Sequence, residues 1–304
     1  MKSYALFQQY VWLVNTIKKA GAITLSELNE QWVETEMSDG VALARSTFNR
    51  HRDAILDMFG IIIECDRKNG FKYYIENSEV LEENSIQNWM LSTLSVNSLL
   101  AESKVLHDRI ILESIPSAGE KLHKLIEAMK GGQRVLINYN RYGDKKSFSE
   151  MKLEPYFLRL FNKRWYVIVK YPAKEAELFT LALDRITSLK LTKDKFKYDD
   201  ELVSEDWYKE GYGIVWGTDY PLAKVVFRAF GREVDYVRDL PLHHTQKEIE
   251  TKEDYSDFEL NIRITGELYT ALLARGDSIK VLQPKSLVDK IKQLHYDSYK
   301  LYKK

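Results

Sequence analysis

The sequence is poor in cysteine, proline and glycine. It has one Cys, 6 Pro and 14 Gly among 304 residues. A lone thiol, Cys65, cannot form an internal disulfide or a thiolate metal cluster, so a disulfide-rich secreted domain is excluded and a reducing compartment is indicated. The low Gly and Pro content, together with 44% hydrophobic residues, excludes collagen-like and disordered chains. The length predicts about two folded domains, or three.

Long apolar runs are also missing. No segment reaches the roughly 18 consecutive apolar residues of a membrane-spanning helix. The apolar N-terminal stretch is broken by Gln8 and Gln9, unlike the core of a signal peptide. The sequence therefore predicts a cytoplasmic protein that neither leaves the cell nor crosses a membrane.

The chain has no excess of either charge, because 45 basic residues balance 45 acidic ones. The charges are nevertheless segregated along the chain: residues 121–200 hold 18 basic and 10 acidic side chains. Salt screens fields beyond about 8–10 Å, so a local basic surface attracts anions whatever the global sum. This pattern predicts an anionic partner for the middle of the chain.

The first 80 residues predict three helices followed by a β-hairpin. Apolar residues recur at helical spacing over Leu6–Lys19, and Thr24 with Glu27 forms the signature of a capped second helix. A third helix is expected from about Leu43 to Phe59, and β-rich runs on both sides of Asn69-Gly70 predict a hairpin. The succession is typical of a winged helix-turn-helix DNA-binding domain, although a small docking module has the same outline.

The third helix has one polar, arginine-bearing side, and the hairpin tip is basic. A helix of this kind enters the major groove, while basic residues on the hairpin contact backbone phosphate. The candidate DNA-binding residues are Arg45, Ser46, Thr47, Asn49, Arg50, Arg52, Arg67 and Lys68. Met58 is expected on the opposite, apolar side, and His51 is expected there as a core histidine.

Three further segments follow the predicted hairpin. Residues 81–131 repeat helical spacing, interrupted at Ile115-Pro116-Ser117, and predict a helical linker. Residues 132–200 predict five short strands joined by short turns, which favours a small β-barrel. Residues 201–304 mix strands and helices and predict an α+β unit resembling a ferredoxin-like sheet.

Two short motifs carry a resemblance to a known family. Arg164-Trp165-Tyr166-Val167 and Leu183-Asp184-Arg185-Ile186 resemble the WYL-domain family of bacterial transcriptional regulators. The segment Leu272-Leu273-Ala274-Arg275-Gly276 and the following Val281-Leu282-Gln283-Pro284 are similar to that family's C-terminal extension. The resemblance covers nearly the whole chain, in the family's usual order of domains.

The resemblance implies an α+β multidomain protein with a winged helix-turn-helix, a helical linker, an Sm-like small β-barrel and a ferredoxin-like C-terminal extension. It also implies a barrel that senses an anionic ligand, such as a nucleic acid or nucleotide. The candidate ligand-binding residues are Tyr139, Arg141, Tyr156, Arg159, Arg164, Tyr166 and Arg185. The alternative is that the aromatic residues are barrel core and the basic ones are solvated; strand alternation leaves one face free for a ligand.

The sequence departs from the family at several of these positions. Val167 stands where the Trp-Tyr-Leu motif that gives the family its name has Leu. Tyr156 stands where members often carry His. Phe179 and Ala182 stand where many members have Arg. These departures bear on the ligand chemistry rather than on the fold.

The sequence offers little for catalysis. His243 and His244 are adjacent, a spacing that does not place both on one helical face, and neither Cys nor a third His completes a metal site. No Walker loop, nucleophile elbow or HExxH motif occurs. We therefore expect neither an enzyme nor a cofactor.

The sequence as a whole predicts a DNA-binding transcriptional regulator with a WYL sensor domain. Its expected partners are a double-stranded DNA operator, an anionic ligand and a second copy in a homodimer, because symmetric operators need paired modules. Two alternatives remain open: an accessory module that binds single-stranded nucleic acid and regulates a partner protein, and a nucleic-acid-acting enzyme.

Overall fold

In the computed structural model, the described residues are 2–82, 85–102, 109, 119–143, 147–172, 178–199, 201–202, 209–215 and 220–303. The chain divides into two compact units, Met1–Glu113 and Ser114–Lys304. Within the described ranges, no helix combines the length and apolar character that a bilayer-spanning segment needs.

The first unit contains the three predicted helices and the hairpin. Its elements are α1 (Lys2–Ala20), α2 (Leu25–Trp32), α3 (Arg45–Phe59), β1 (Ile63–Asp66), β2 (Lys72–Ile75) and α4 (Ile86–Glu102). β1 and β2 pair in antiparallel register, with Ile63 opposite Ile75 and Asp66 opposite Lys72.

Local signals fix the ends of these helices. The Thr24 hydroxyl accepts a hydrogen bond from the Glu27 amide at 3.2 Å, and the Glu27 carboxylate accepts one from the Thr24 amide at 2.8 Å. This reciprocal pair is the capping box that the sequence predicts at the start of α2. α3 ends at Gly60, whose φ of 64° is one that glycine adopts without steric cost.

The core of the first unit lies between the helices. Fully buried side chains include those of Leu13, Leu28, Phe48 and Ile55. Met58, which the spacing also places on this side, remains 37% exposed at its margin, because the buried positions on α3 form the narrower stripe of Phe48, His51, Ile55 and Phe59.

The segment expected to be a helical linker is divided between the two units. Leu81 and Leu91 are buried in the core of the first unit, so the start of α4 packs there. α5 (Gly119–Lys130) belongs to the second unit. The predicted interruption at residues 115–117, and the apolar positions Leu106, Ile110 and Ile111, lie outside the described residues.

A five-stranded antiparallel sheet begins the second unit. Its strands are β3 (Gln133–Tyr139), β4 (Phe148–Phe161), β5 (Arg164–Lys170), β6 (Leu178–Ala182) and β7 (Ile186–Lys195). They lie in the order β6-β5-β4-β3-β7. The predicted strands are all present. α5 covers one side, because Leu125 and Ala128 are buried with Val135 and Ile137.

Both faces of β5 are covered, so the expectation of a free face is wrong. Val167 and Val169 pack in the cluster that α5 covers. Ile168 points to the opposite side, where it packs with Tyr156 and Phe157 in a second cluster. The alternation is as predicted, but the bent β4 brings side chains to both faces.

A four-stranded antiparallel sheet completes the second unit. Its elements are β8 (Leu222–Phe230), α6 (Arg232–Asp239), β9 (Lys247–Thr251), β10 (Tyr255–Arg263), α7 (Gly266–Leu273), β11 (Ile279–Gln283) and α8 (Lys285–Tyr302). The strand order is β11-β8-β10-β9, with β-α-β-β-α-β connectivity. Phe227 and Phe258 stack at its centre, with ring centroids 5.5 Å apart.

Candidate nucleic-acid and anion sites

α3 presents a polar outer face. Ser46, Asn49 and Arg50 are exposed, and Arg45 is exposed at the start of the helix, whereas Phe48 on the opposite side is fully buried. An Arg50 Nη2 group donates to the Thr47 hydroxyl at 3.3 Å. Hydrogen-bonding groups on one exposed helix flank are what reading of base edges requires.

Arg52 is held differently from the other candidates. Its Nε donates to the Ile63 carbonyl at 2.9 Å, Nη2 donates to the same oxygen, and the guanidinium lies 5.3 Å from the centre of the Tyr73 ring. The Glu64 carboxylate is 4.0 Å away. Arg52 therefore ties α3 to the hairpin rather than projecting from it.

Arg67 and Lys68 are exposed at the hairpin tip. The turn is built by Asp66, whose carboxylate accepts hydrogen bonds from the Lys68 amide at 3.0 Å and the Asn69 amide at 3.2 Å. These bonds, led by one from the Asn69 side chain, hold the pKa of Asp66 below its usual value. The tip is thus a fixed loop carrying two solvated positive charges.

An open groove separates α3 from the hairpin tip. We name it the wing groove; its lining residues are Thr24, Leu25, Arg45, Gly70, Phe71 and Tyr73. It brings the first residue of α3 and the last residues of the hairpin turn to one surface.

In the second unit, Arg164 is paired with a carboxylate. Its Nε donates to Asp184 Oδ1 at 2.8 Å and its Nη2 donates to Oδ2 at 2.7 Å, which is the two-pronged geometry of a strong ion pair. Nη2 also donates to the Tyr142 hydroxyl at 3.4 Å. The hydrogen bonds to Asp184 raise the pKa of Arg164, and the same bonds lower the pKa of Asp184.

Arg185 lies beside this pair and is held by aromatic rings. Its guanidinium is 3.5 Å from the centre of the Tyr142 ring and 5.0 Å from that of Tyr139. The Tyr139 hydroxyl accepts a hydrogen bond from the Ala182 amide at 3.3 Å, which fixes the ring. No acceptor among the described residues contacts the buried Nη2 of Arg185. We call Tyr139, Tyr142, Arg164, Asp184 and Arg185 the arginine cluster.

The structure brings together only part of the predicted ligand site. Tyr166 lies near the cluster, with the Arg164 guanidinium 5.8 Å from its ring. Arg159 is opposite Tyr166 on β4, and Arg141 lies over the Phe148 ring at 5.0 Å.

Tyr156 packs elsewhere, with Phe196 and Tyr198 at centroid distances of 5.6 and 5.1 Å. It lines a separate cavity with Lys170 and Lys197. Tyr142 and Asp184 are cluster members absent from the predicted site; the adjacency of Asp184 to Arg185 in sequence was the available signal.

His51 is buried and His243 is partly buried. The His51 ring meets that of Tyr10 at 5.2 Å, and burial lowers its pKa. Burial, with His244 and Arg159 nearby, lowers the pKa of His243 to about 4. Within the described residues, no group of His, Cys, Asp and Glu side chains is placed to hold a metal ion.

Comparison with solved structures gives distant similarity. The chain is similar to proteasome accessory factor B/C (PafBC) of Arthrobacter aurescens, with 15% identity, a TM-score of 0.37, and coverage of 94% of this chain and 45% of that one. It is also similar to a CRISPR Cas-related protein, with 11% identity, a TM-score of 0.39, and coverage of 98% and 85%. The chain thus spans less than half the length of PafBC, and similarity at this level carries no functional argument.

Comparison with protein families gives two specific matches. No curated protein sequence matches the chain significantly. The WYL domain family matches residues 120–191, which contain the arginine cluster and all of α5 except its first residue. The WCX domain family matches residues 221–295, which contain the four-stranded sheet. The chain therefore contains a WYL domain followed by a WCX domain.

Proposed function

We propose that the chain is a DNA-binding transcriptional regulator whose WYL domain binds an anionic, nucleotide-like ligand and thereby changes operator affinity. In this proposal residues 1–80 are a winged helix-turn-helix and 81–131 a helical linker. Residues 132–200 are an Sm-like barrel and 201–304 a ferredoxin-like extension. The proposal includes a homodimer, because a single winged helix offers a small contact and symmetric operators need paired modules.

One observation carries the DNA-binding part: the exposed polar flank of α3 stands beside a basic hairpin tip. Asn49 and Arg50 have the side chains that pair with adenine and guanine edges in a major groove. Arg67 and Lys68 have solvated charges suited to phosphate. A docking module would need an apolar contact face instead, and the α3 flank is polar.

The first test is selection of bound duplexes from a random pool at physiological salt, followed by affinity measurements. We expect an enriched two-fold symmetric sequence. Arg50→Ala or Asn49→Ala lowers affinity by about 1–3 kcal/mol and relaxes base preference. Lys68→Ala weakens all sequences alike and reduces the salt slope by about 1. Unchanged affinity in all three folded variants contradicts the proposal.

The ligand-binding part rests on the contrast between the two arginines of the cluster. The Arg164 fork is occupied by Asp184, whereas Arg185 stacks on Tyr142 and is in none of the ion pairs among the described residues. A phosphate pairs with a guanidinium that has no carboxylate partner, and an exposed tyrosine ring stacks on a base. Arg185 is therefore the first anion contact, and Asp184 competes with the anion for Arg164.

Replacing Asp184 tests this competition. Asp184→Asn removes the competing charge, so we expect about fivefold tighter binding of a short single-stranded oligonucleotide, while Arg185→Ala abolishes binding. Lys152→Ala is the matched control, because it removes a positive charge that pairs with Asp194 on the same sheet. Calorimetric titration measures all three. Equal affinity of Asp184→Asn and the parent chain contradicts the assignment.

A second candidate function is an accessory module that binds single-stranded nucleic acid and regulates a partner protein. The excess of 18 basic over 10 acidic residues in 121–200 favours it, because this excess belongs to the second unit and not to the unit that contains α3. Tight oligonucleotide binding without any selected duplex supports this candidate over the first.

A further inference from the structure

A phenylalanine occupies a backbone position at the hairpin tip that favours glycine. Phe71 has a φ of 56° and follows Gly70, whose φ is 81°. For a bulky side chain a positive φ is a conformational outlier that costs free energy. The ring is also 58% exposed, so the chain bears a second cost by leaving apolar surface in water.

The hairpin does not depend on Phe71 for its shape. The turn is already held by the bonds from Asp66 to the Lys68 and Asn69 amides. The core of the first unit continues through Tyr73, which is 4% exposed and meets the Phe48 ring at 4.7 Å, and Phe71 is absent from that core. A residue that is locally unfavourable and does not stabilise the fold indicates a functional role.

The surroundings of Phe71 indicate what it contacts. Phe71 and Arg45 line the wing groove together, and Arg67 and Lys68 are exposed at the same tip. When α3 lies in a major groove, the sugar–phosphate strand that bounds this groove passes between α3 and the hairpin. Arg45 then faces phosphate, and the hairpin tip faces the adjacent minor groove.

We propose that Phe71 is an apolar DNA contact that packs against the deoxyribose and base edges of the minor groove next to the major groove occupied by α3. Apolar side chains are used in this way by minor-groove-binding proteins. The inference rests on the DNA-binding part of the proposed function and adds a contact that is neither a phosphate nor a major-groove interaction.

The test uses the full chain and the selected duplex. We expect Phe71→Gly to lower affinity about tenfold, with a salt slope unchanged because no charge is lost. Its unfolding midpoint stays equal to or above that of the parent, because glycine relieves the positive φ. Phe71→Leu keeps apolar contact and retains most of the affinity. Hydroxyl-radical footprinting, which probes deoxyribose from the minor groove, loses protection at the hairpin flank in Phe71→Gly.

Met58→Ala is the matched control, because Met58 is an exposed apolar residue on the side of α3 away from Asn49. We expect it to leave affinity and footprint unchanged. If Arg50→Ala weakens binding but Phe71→Gly does not, the proposed minor-groove contact of Phe71 is wrong, and the proposed function stands. A lowered unfolding midpoint of Phe71→Gly identifies a structural role instead. Absence of duplex binding by the parent chain overturns both proposals.

Discussion

On α3 and the hairpin tip of the first unit, Arg45, Arg50 and Arg67 are exposed, and none of the ion pairs among the described residues includes them. In the second unit, Arg134 and Arg164 each donate two hydrogen bonds to one carboxylate. A guanidinium of the first kind is available to an incoming phosphate, whereas one of the second kind must first give up a partner. Charge counts along the sequence do not separate the two.

The largest expected effect comes from breaking a pair in the second unit. Glu154 is 7% exposed and accepts both bonds from Arg134. Glu154→Ala leaves that guanidinium without its partner, and we expect a loss of about 2–3 kcal/mol in the free energy of unfolding. Asp53→Ala on the exposed face of α3 serves as control and changes it by less than about 0.5 kcal/mol. Urea denaturation checks both; equal effects would remove the contrast between the units.

The second prediction concerns the free energy of unfolding as a function of pH, to which His243 in the second unit contributes. Its folded pKa of about 4 lies below the ordinary 6.5, so the unfolded chain takes up the proton first as pH falls. Stability is therefore full above pH 6.5 and declines between pH 6.5 and 4, by about 1–2 kcal/mol because solvent screens the partly exposed ring. His243→Phe flattens this decline, and His244→Phe, which removes only the smaller contribution of the exposed neighbour, reduces it in part. A decline that persists in His243→Phe contradicts the assignment.

The smallest effect concerns two arginines on the same helix. Arg52→Ala removes the bonds to the Ile63 carbonyl, so we expect a loss of about 1–2 kcal/mol in stability. Arg50→Ala stays within about 0.5 kcal/mol, because Arg50 is exposed. Thermal unfolding of the two variants measures the difference. If Arg50→Ala destabilises the chain as much as Arg52→Ala, the outward face of α3 is not free for DNA.

Neither β9 nor α6 is among the elements that the sequence predicts within residues 201–304. All five residues of β9 are exposed, and α6 buries only Val234 and Val237. β9 has no buried apolar side, and the spacing of Val234 and Val237 in α6 covers a single turn, which is too short to predict a helix. Pairing with the following strand, β10, stabilises β9, and packing on the preceding strand, β8, stabilises α6.

The sequence by itself determined what depends on neighbouring residues. The capping box of Thr24 and Glu27, the end of α3 at Gly60 and the strand alternation around Val167 follow from groups a few positions apart, whose geometry the local backbone fixes.

Only the tertiary structure decided which candidate side chains meet. Arg164 and Asp184 are 20 positions apart, and Arg52 reaches a carbonyl 11 positions away. Tyr156 packs with Phe157 and Ile168 in the second cluster rather than with the arginine cluster. These outcomes depend on how sheets bend and pack, which is a property of many long-range contacts together and is not encoded in any short segment.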